Sequence, residues 1–287
     1  MTQERRTFDV APYLARAEQV ILPSYGSVHS SSTPNAKGHL HVGVDLGTAY
    51  LVLVVLDDEM QPLGGEYQFA QVVRDGLVVD FIGAIDRLKE MKTRLEKRLG
   101  VELTHAASGY PPGVPQVEVR ATANVLEAAG LRCTGLLDEP TAANNLLGIQ
   151  NGAIVDVGGG TTGIAVINNS KVVYSADEPT GGTHFSLVIA GANNISFEEA
   201  EELKKDPVQQ ERLFPLIYPV MEKVASITAR HLKGRKVDHI TLVGGTACHP
   251  GMAQVMQDYT GISTSGPDRP LFVTPLGIAM HDNHHLE

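Results

Sequence analysis

From residue 41 onward, short apolar runs alternate with amphipathic stretches, first at strand spacing and then at helix spacing. His41-Val42-Gly43-Val44-Asp45-Leu46-Gly47-Thr48 reads as a strand entering a glycine turn. Residues 50–56 read as its partner, with Asp57, Asp58 and Pro62 closing a hairpin. Short strands at 70–73 and 77–79 flank a turn at Arg74-Asp75-Gly76. Across 80–99, Phe81, Ile85, Leu88, Leu95 and Leu99 share one helical face, and Gly100 ends the helix. A strand at 103–108, a helix at 117–129 and a strand at 133–137 follow. A helix over about 140–147 then carries Pro140 in its first turn.

The plan then starts again. Residues 153–162 form a second strand, aspartate, glycine turn and threonine, with partner strands at 163–168 and 171–175. Helices are predicted at 197–205 and 213–232, a strand at 237–243 ending in Gly244-Gly245, and a helix at 252–257. Asp45 and Asp156 occupy equivalent points, 156 − 45 = 111 residues apart. That spacing points to internal duplication, with two similar α/β domains facing each other across a cleft.

Residues 1–40 differ. Leu14, Ala17, Val20 and Ile21 give a weak helical face over 8–22. Pro23 stops it, and 24–39 is a Ser/Gly/Pro-rich linker. Packing against its own protein and docking to a partner both fit this helix.

Composition narrows the function. The 287 residues suffice for two cores of about 140 residues each. The net charge of −10 without a basic tract argues against nucleic acid and anionic membrane as partners. No leader and no apolar span of 18 residues is recognised, so a cytoplasmic location without membrane insertion is expected. Cys133 and Cys248 provide neither a disulfide framework nor a thiolate cluster, and the scattered histidines suggest no metal site. His284-His285-Leu286-Glu287 reads as an appended tail, and 282–287 are set aside.

Neither glycine loop is a P-loop or a dinucleotide fingerprint. Each places a carboxylate at a strand end, followed by glycines whose N–H groups can approach a phosphate and a threonine that adds a hydroxyl. Asp45 and Asp156 are suited to hydrated Mg2+. In Leu137-Asp138-Glu139-Pro140, the acids either cap a helix or place Glu139 in the cleft. Thr180-Gly181-Gly182-Thr183 and Leu242-Val243-Gly244-Gly245-Thr246 are ordinary tight turns or places where a bulky ligand passes.

Together these segments resemble the actin / sugar-kinase / 70-kilodalton heat-shock chaperone superfamily. Asp45-Leu46-Gly47-Thr48 is similar to its first phosphate motif, Asp156 to Thr161 to the second, and Leu242 to Thr246 to the adenosine motif. Leu137 to Ala143 and Thr274 to Ala279 resemble its two connecting segments. Within it, Val72 to Asp80, Tyr174 to Glu178 and Ile195 to Glu201 resemble the chaperone-like proteins of ethanolamine utilisation. The resemblance implies two duplicated RNase H-like (actin-like ATPase) domains, 41–148 and 149–281, with reduced outer subdomains and a nucleotide cleft between them.

It also implies ATP or ADP with Mg2+ as ligands. Catalytic roles fall to Asp45, Glu139 and Asp156, and metal binding to Asp45 and Asp156. Leu46, Gly47, Thr48, Gly158, Gly159, Gly160 and Thr161 would hold phosphates. Gly181, Gly182, Gly244 and Gly245 would line the nucleotide, and Glu201 and Lys204 would reach the ribose unless they form only a surface ion pair. Implied partners are ethanolamine-utilisation enzymes or microcompartment proteins, and homo-oligomer formation stays open.

The chain departs from the large chaperones in three ways. The first domain offers no lysine for the γ-phosphate, only 206–212 separate two helices where an outer subdomain is expected, and no peptide-binding domain follows 281. These features imply slow hydrolysis. An inactive nucleotide-binding scaffold, a small-molecule kinase and a polymerising filament protein are the competing readings.

Overall fold

The computed structural model describes residues 9–24, 38–74 and 77–282. In chain order, the first part runs α1 (Val10–Val20), β1 (Ile21–Pro23), β2 (His41–Leu46), β3 (Tyr50–Leu56), β4 (Pro62–Phe69), β5 (Val73–Arg74) and β6 (Leu77–Val78). It continues with α2 (Phe81–Leu99), β7 (His105–Tyr110), α3 (Gln116–Ala128), β8 (Arg132–Asp138) and α4 (Glu139–Leu147). The second part begins with β9 (Gly152–Val157), β10 (Thr162–Asn168), β11 (Lys171–Glu178), α5 (Gly182–Asn193), α6 (Phe197–Lys205) and α7 (Gln210–Leu232). It ends with β12 (His239–Val243), α8 (Met252–Thr260), β13 (Ser263–Ser265) and α9 (Val273–Ala279).

The first sheet has the order β1-β4-β3-β2-β7-β8, and the second β11-β10-β9-β12-β13. Without β1, both read as an antiparallel three-strand meander followed by two parallel strands. The aspartate-bearing strand, β2 or β9, is central in each; Val42 and Val44 face one core, Ala153 and Val155 the other, and Ile154 between them turns to the opposite face. One core lies between the first sheet and α2 and α3, with Leu88, Met91 and Leu95 fully buried. A second lies between the other sheet and α5, α7 and α8.

Between the sheets sit α4 and α9. Gly277 is obligatory there, because the Ala142 carbonyl occupies the space a Cβ would take. Gly43 likewise lets α9 approach β2, where a Cβ would lie 2.6 Å from the Ala279 nitrogen. Local signals end the helices as expected. Asp80 accepts from the Gly83 N–H at 2.9 Å to start α2, and Gly100 at φ 67° stops it.

Several features differ from the sequence expectation, among them β1, which takes the end of the expected 8–22 helix, and β13, which no local pattern marks. Pro62 opens β4 and does not merely close a turn. Gly64, Gly65, Glu66 and Gln68 disguise that strand, yet Gly65 leaves room for Ile21, and buried Glu66 pairs with Arg94 at 2.9 Å. Helix α5, whose fully buried residues include Phe185 and Ile189, follows the second glycine pair without a clear polar face. Asp282, set aside as tail, is 2% exposed and accepts from Val42 N–H at 2.9 Å and Thr134 O–H at 2.5 Å. It holds β2 to β8 and belongs to the fold. Residues 283–287 and most of the 24–39 linker lie outside the described residues.

Candidate functional site

A cavity of about 420 Å3 opens between the two sheets, lined from both. Asp45 and Asp156 are the penultimate residues of β2 and β9, so the equivalent strand ends bring both carboxylates to its wall. The loops that follow meet. A Cβ on Gly160 would fall 2.8 Å from the Thr48 hydroxyl, and one on Gly159 would fall 3.0 Å from the Ala49 nitrogen. Only glycines permit this approach.

The second loop is held from behind. Gly182 and Thr183 N–H groups donate to the carbonyls of Gly158 and Gly159 at 3.0 and 2.7 Å, and the Thr246 hydroxyl donates to Gly158 at 2.7 Å. Among the described residues, the N–H groups of Gly159, Gly160 and Thr161 have no acceptor. The loop therefore has its carbonyls tied and donors to spare, the polarity an anion needs.

Glu139 begins α4 and also lines the cavity, so both expectations for the acidic pair hold at different residues. Asp138 does the capping, accepting from Thr141 N–H at 3.0 Å and Thr141 O–H at 2.8 Å. Burial, then the Asp156 charge, raises the Asp45 pKa to about 7. Burial, followed by Asp45, Asp156, Asp177 and Asp138, holds Glu139 well above the usual carboxylate range. Burial also raises Asp156, opposed by the Thr274 hydroxyl, which donates at 2.8 Å.

Asp45, Glu139 and Asp156 thus share the cavity, with the lining lysines, Lys204 and Lys205, both on α6 beside Glu201, an arrangement that suits a cation at the three acids. Among the described residues, no three His, Cys, Asp or Glu side chains converge closely enough to ligate one ion together. The donor set therefore fits Mg2+ that keeps most of its water and meets one or two carboxylates.

Gly244 stands against Asp156 at φ 90°, with the aspartate oxygen where a Cβ would be, and Gly245 packs beside Leu271. Both line the cavity, as do Leu46, Gly47, Gly158 and Thr161. Gly181 and Gly182 do not. They back the loop, because a Cβ on Gly181 would lie 2.7 Å from the Gly158 carbonyl oxygen.

Glu201 and Lys204 reach the cavity wall as a buried cluster and not as a surface pair. Lys204 Nζ donates to Glu201 at 2.5 Å, Ser186 Oγ at 2.8 Å and Gly182 O at 3.1 Å. Burial lowers the Lys204 pKa, and the Glu201 charge opposes this. Cys248 also lines the cavity, and desolvation of its sulfur pushes the thiol pKa up, against the thiolate form.

Two contributors have weak sequence signals. Thr246 simply follows a glycine pair. Lys205 on α6 reaches over the Tyr50 and Phe69 rings, 5.6 and 5.5 Å from their centroids, and so spans from one sheet's elements to the other's. No local pattern marks that partnership.

Comparison with known proteins agrees with this geometry. The ethanolamine utilization protein EutJ of Salmonella typhimurium is 45% identical over 251 residues, 87% of this chain and 86% of that protein. The chain belongs to the EutJ family. The crystal structure of EutJ from Carboxydothermus hydrogenoformans is 43% identical, with a TM-score of 0.87 over 94% of this chain and 97% of that one. EutJ shares the actin/Hsp70 fold of a superfamily of ATPases. MreB5 of Spiroplasma citri, solved bound to AMPPNP, is 19% identical with a TM-score of 0.71, covering 86% and 97%, and shows the fold alone. A family model described as type IV pilus assembly protein PilM matches residues 116–268 and places that stretch in its sequence family too.

Proposed function

We propose that this member of the EutJ family binds ATP with Mg2+ in the cavity and hydrolyses it slowly. In this reading, two duplicated RNase H-like domains, 41–148 and 149–281, form the cleft walls. Their closure on nucleotide is transmitted to ethanolamine-utilisation enzymes or microcompartment proteins in a cytoplasmic chaperone-like or reactivating role. The observation that carries the reading is the meeting of the two Asp-Gly turns at Gly160 and Thr48 beside the carboxyl groups of Asp45, Glu139 and Asp156 in one cavity.

The free N–H groups of Gly159, Gly160 and Thr161, with the Thr48 hydroxyl, would hold the terminal phosphates. Asp45 and Asp156 would hold hydrated Mg2+, which when bound neutralises charge on the β- and γ-phosphates. Glu139 would orient a water for in-line attack on the γ-phosphorus and accept its proton at a carboxylate oxygen. The bond from phosphorus to the β–γ bridging oxygen breaks, leaving ADP and phosphate. Gly244 and Gly245 would pass beneath the nucleoside. Glu201, held by Lys204 Nζ, would offer the ribose a carboxylate oxygen.

One observation favours the inactive scaffold as the second reading. The lysines lining the cavity, Lys204 and Lys205, both come from α6, so the first sheet's elements supply none.

Titration of the full chain with labelled ATP and Mg2+, with phosphate release measured beside Asp156→Ala, tests the proposal. Binding with slow release in the wild type and lost release in the variant supports hydrolysis. Binding without release selects the scaffold, and absence of binding rejects both.

A further inference from the structure

The first described segment, α1 with β1, lies on β4 of the first sheet and reaches Pro270–Phe272, which follow β13 of the second. Three of the eleven α1 residues, Tyr13, Leu14 and Ala17, are buried, and Ile21 of β1 joins them. Their cluster includes Val52 and Val54 of β3 on one side, and Ile154 and Ala165 of the second sheet on the other. The polar ties divide the same way. Tyr13 O–H donates to the Met60 carbonyl at 2.6 Å, and Arg98 donates to the Val20 carbonyl at 3.2 Å, both among the first sheet's elements. Glu18 pairs instead with Arg269, which follows β13 of the second sheet.

Arg269 leads directly to the cavity. The next residue, Pro270, accepts from the Gly244 N–H at 3.1 Å, and Leu271 lines the cavity against Gly245. Movement of the glycine pair is therefore carried through a very short stretch of backbone to the residue Glu18 grips.

The segment is also built to come away. Helix α1 has no side-chain N-cap, no acid in its first turn and no base in its last. An isolated helix of eleven residues is marginal in water, so α1 owes its order to docking. Strand β1 pairs three residues parallel to the β4 edge, and Ser24 adds one N–H bond to the Tyr67 carbonyl at 3.0 Å. Four buried side chains, with part-buried Val10 and Val20 beside them, hold a segment whose whole backbone must be ordered, which favours local opening well before global unfolding.

We propose that α1–β1 is a detachable strap, docked on the β4 edge and tied to the second sheet by Glu18–Arg269, whose docking equilibrium is coupled to occupancy of the cavity. The occupant of this docking face is the chain's own residues 10–23. Leaving would uncover the β4 edge and the apolar seam, so ligand state becomes a change in exposed surface. The coupling to occupancy rests on the nucleotide reading above, while the Glu18–Arg269 tie does not.

Hydrogen exchange on the full chain, wild type and Arg269→Gln, without ligand and with Mg·AMPPNP, tests this. In the wild type, amides of residues 10–23 should exchange at least about tenfold faster than those of β3. Ligand that protects residues 158–161 should change the 10–23 rates several-fold. Arg269→Gln should speed exchange at 10–23, leave β3 unchanged and abolish that ligand response. If ligand protects 158–161 while 10–23 respond equally in both proteins or not at all, the strap is wrong and the nucleotide reading survives. If ligand protects nothing, the nucleotide reading and the proposed coupling both fail. An unchanged 10–23 rate in Arg269→Gln would by itself overturn the tie.

Discussion

Gly160 and Thr48 stand so close that a single methyl group on the glycine would press on the threonine's hydroxyl and methyl, at 2.8 and 2.5 Å. Both neighbours belong to tightly turned backbone, so neither yields cheaply. Gly160→Ala is expected to separate the two loops, with an overpacking cost of about 1–3 kcal/mol. Urea denaturation should show the loss of stability, and labelled-ATP titration should show a loss of affinity at least as large. Gly191→Ala, inside α5 with nothing within 4 Å of the added methyl, serves as the control: it should leave ATP affinity unchanged and, as a helical glycine replaced, raise stability by about 0.5–1 kcal/mol.

Thr274 steadies Asp156 through one 2.8 Å hydrogen bond from the other side of the seam. Thr274→Val keeps the shape and removes the donor. Since that bond favours the ionised form of Asp156, its loss should raise the Asp156 pKa further. A stability loss of roughly 1–2 kcal/mol above neutral pH is expected, shrinking as the pH falls. Denaturation midpoints at pH 5.5 and pH 8 measure the difference.

The buried acids set a pH dependence. Asp45 rises from an ordinary value of 3.8 to about 7 in the fold. Between those values the folded chain holds more protons than the unfolded one. This carboxyl therefore makes the ligand-free protein less stable as pH climbs from about 4 to about 7. Asp45→Asn should flatten that part of the stability profile. Mg2+ would compete with those protons, so its stabilising effect in thermal melts should be larger at pH 8 than at pH 5.5.

Asp282 works in the opposite sense. Burial pushes its pKa up, but the His105, Thr134 and Val42 hydrogen bonds outweigh burial, and the net direction is down. Its stabilising contribution is present above the ordinary carboxylate range and is lost as pH falls through the lowered folded value. Asp282→Ala would leave Val42 N–H, Thr134 O–H and His105 Nε2 without this partner, at a cost of roughly 3 kcal/mol or more. Truncation after His281 should destabilise comparably in denaturant.

Much of this was legible in the chain because alternating apolar strands, Asp-Gly turns and terminating glycines are local signals. Asp45, Asp156, Gly159 and Gly160 could be placed on strand ends and loops from spacing alone. What stayed hidden depends on distant neighbours. Strand β4 is masked by Gly64 and Gly65, whose small size is explained by Leu95 and Ile21, and by Glu66, whose burial is explained by Arg94. Gly181 and Gly182 have the look of ligand-contacting glycines, yet the space at Gly181 is taken by the Gly158–Gly159 backbone and that at Gly182 by the Thr246 side chain. Lys205 gains its place from Tyr50 and Phe69, far away in sequence. Asp282 gains its place from β2, β7 and β8, which no tail-like composition could foretell.

The most direct test is a crystal structure of the full chain grown with Mg2+ and a non-hydrolysable ATP analogue. The account predicts β- and γ-phosphates between Thr48 and the amides of Gly159 to Thr161, with the metal on the Asp45 and Asp156 side. Nucleotide bound on an outer surface, or an empty cavity at saturating analogue, would contradict it.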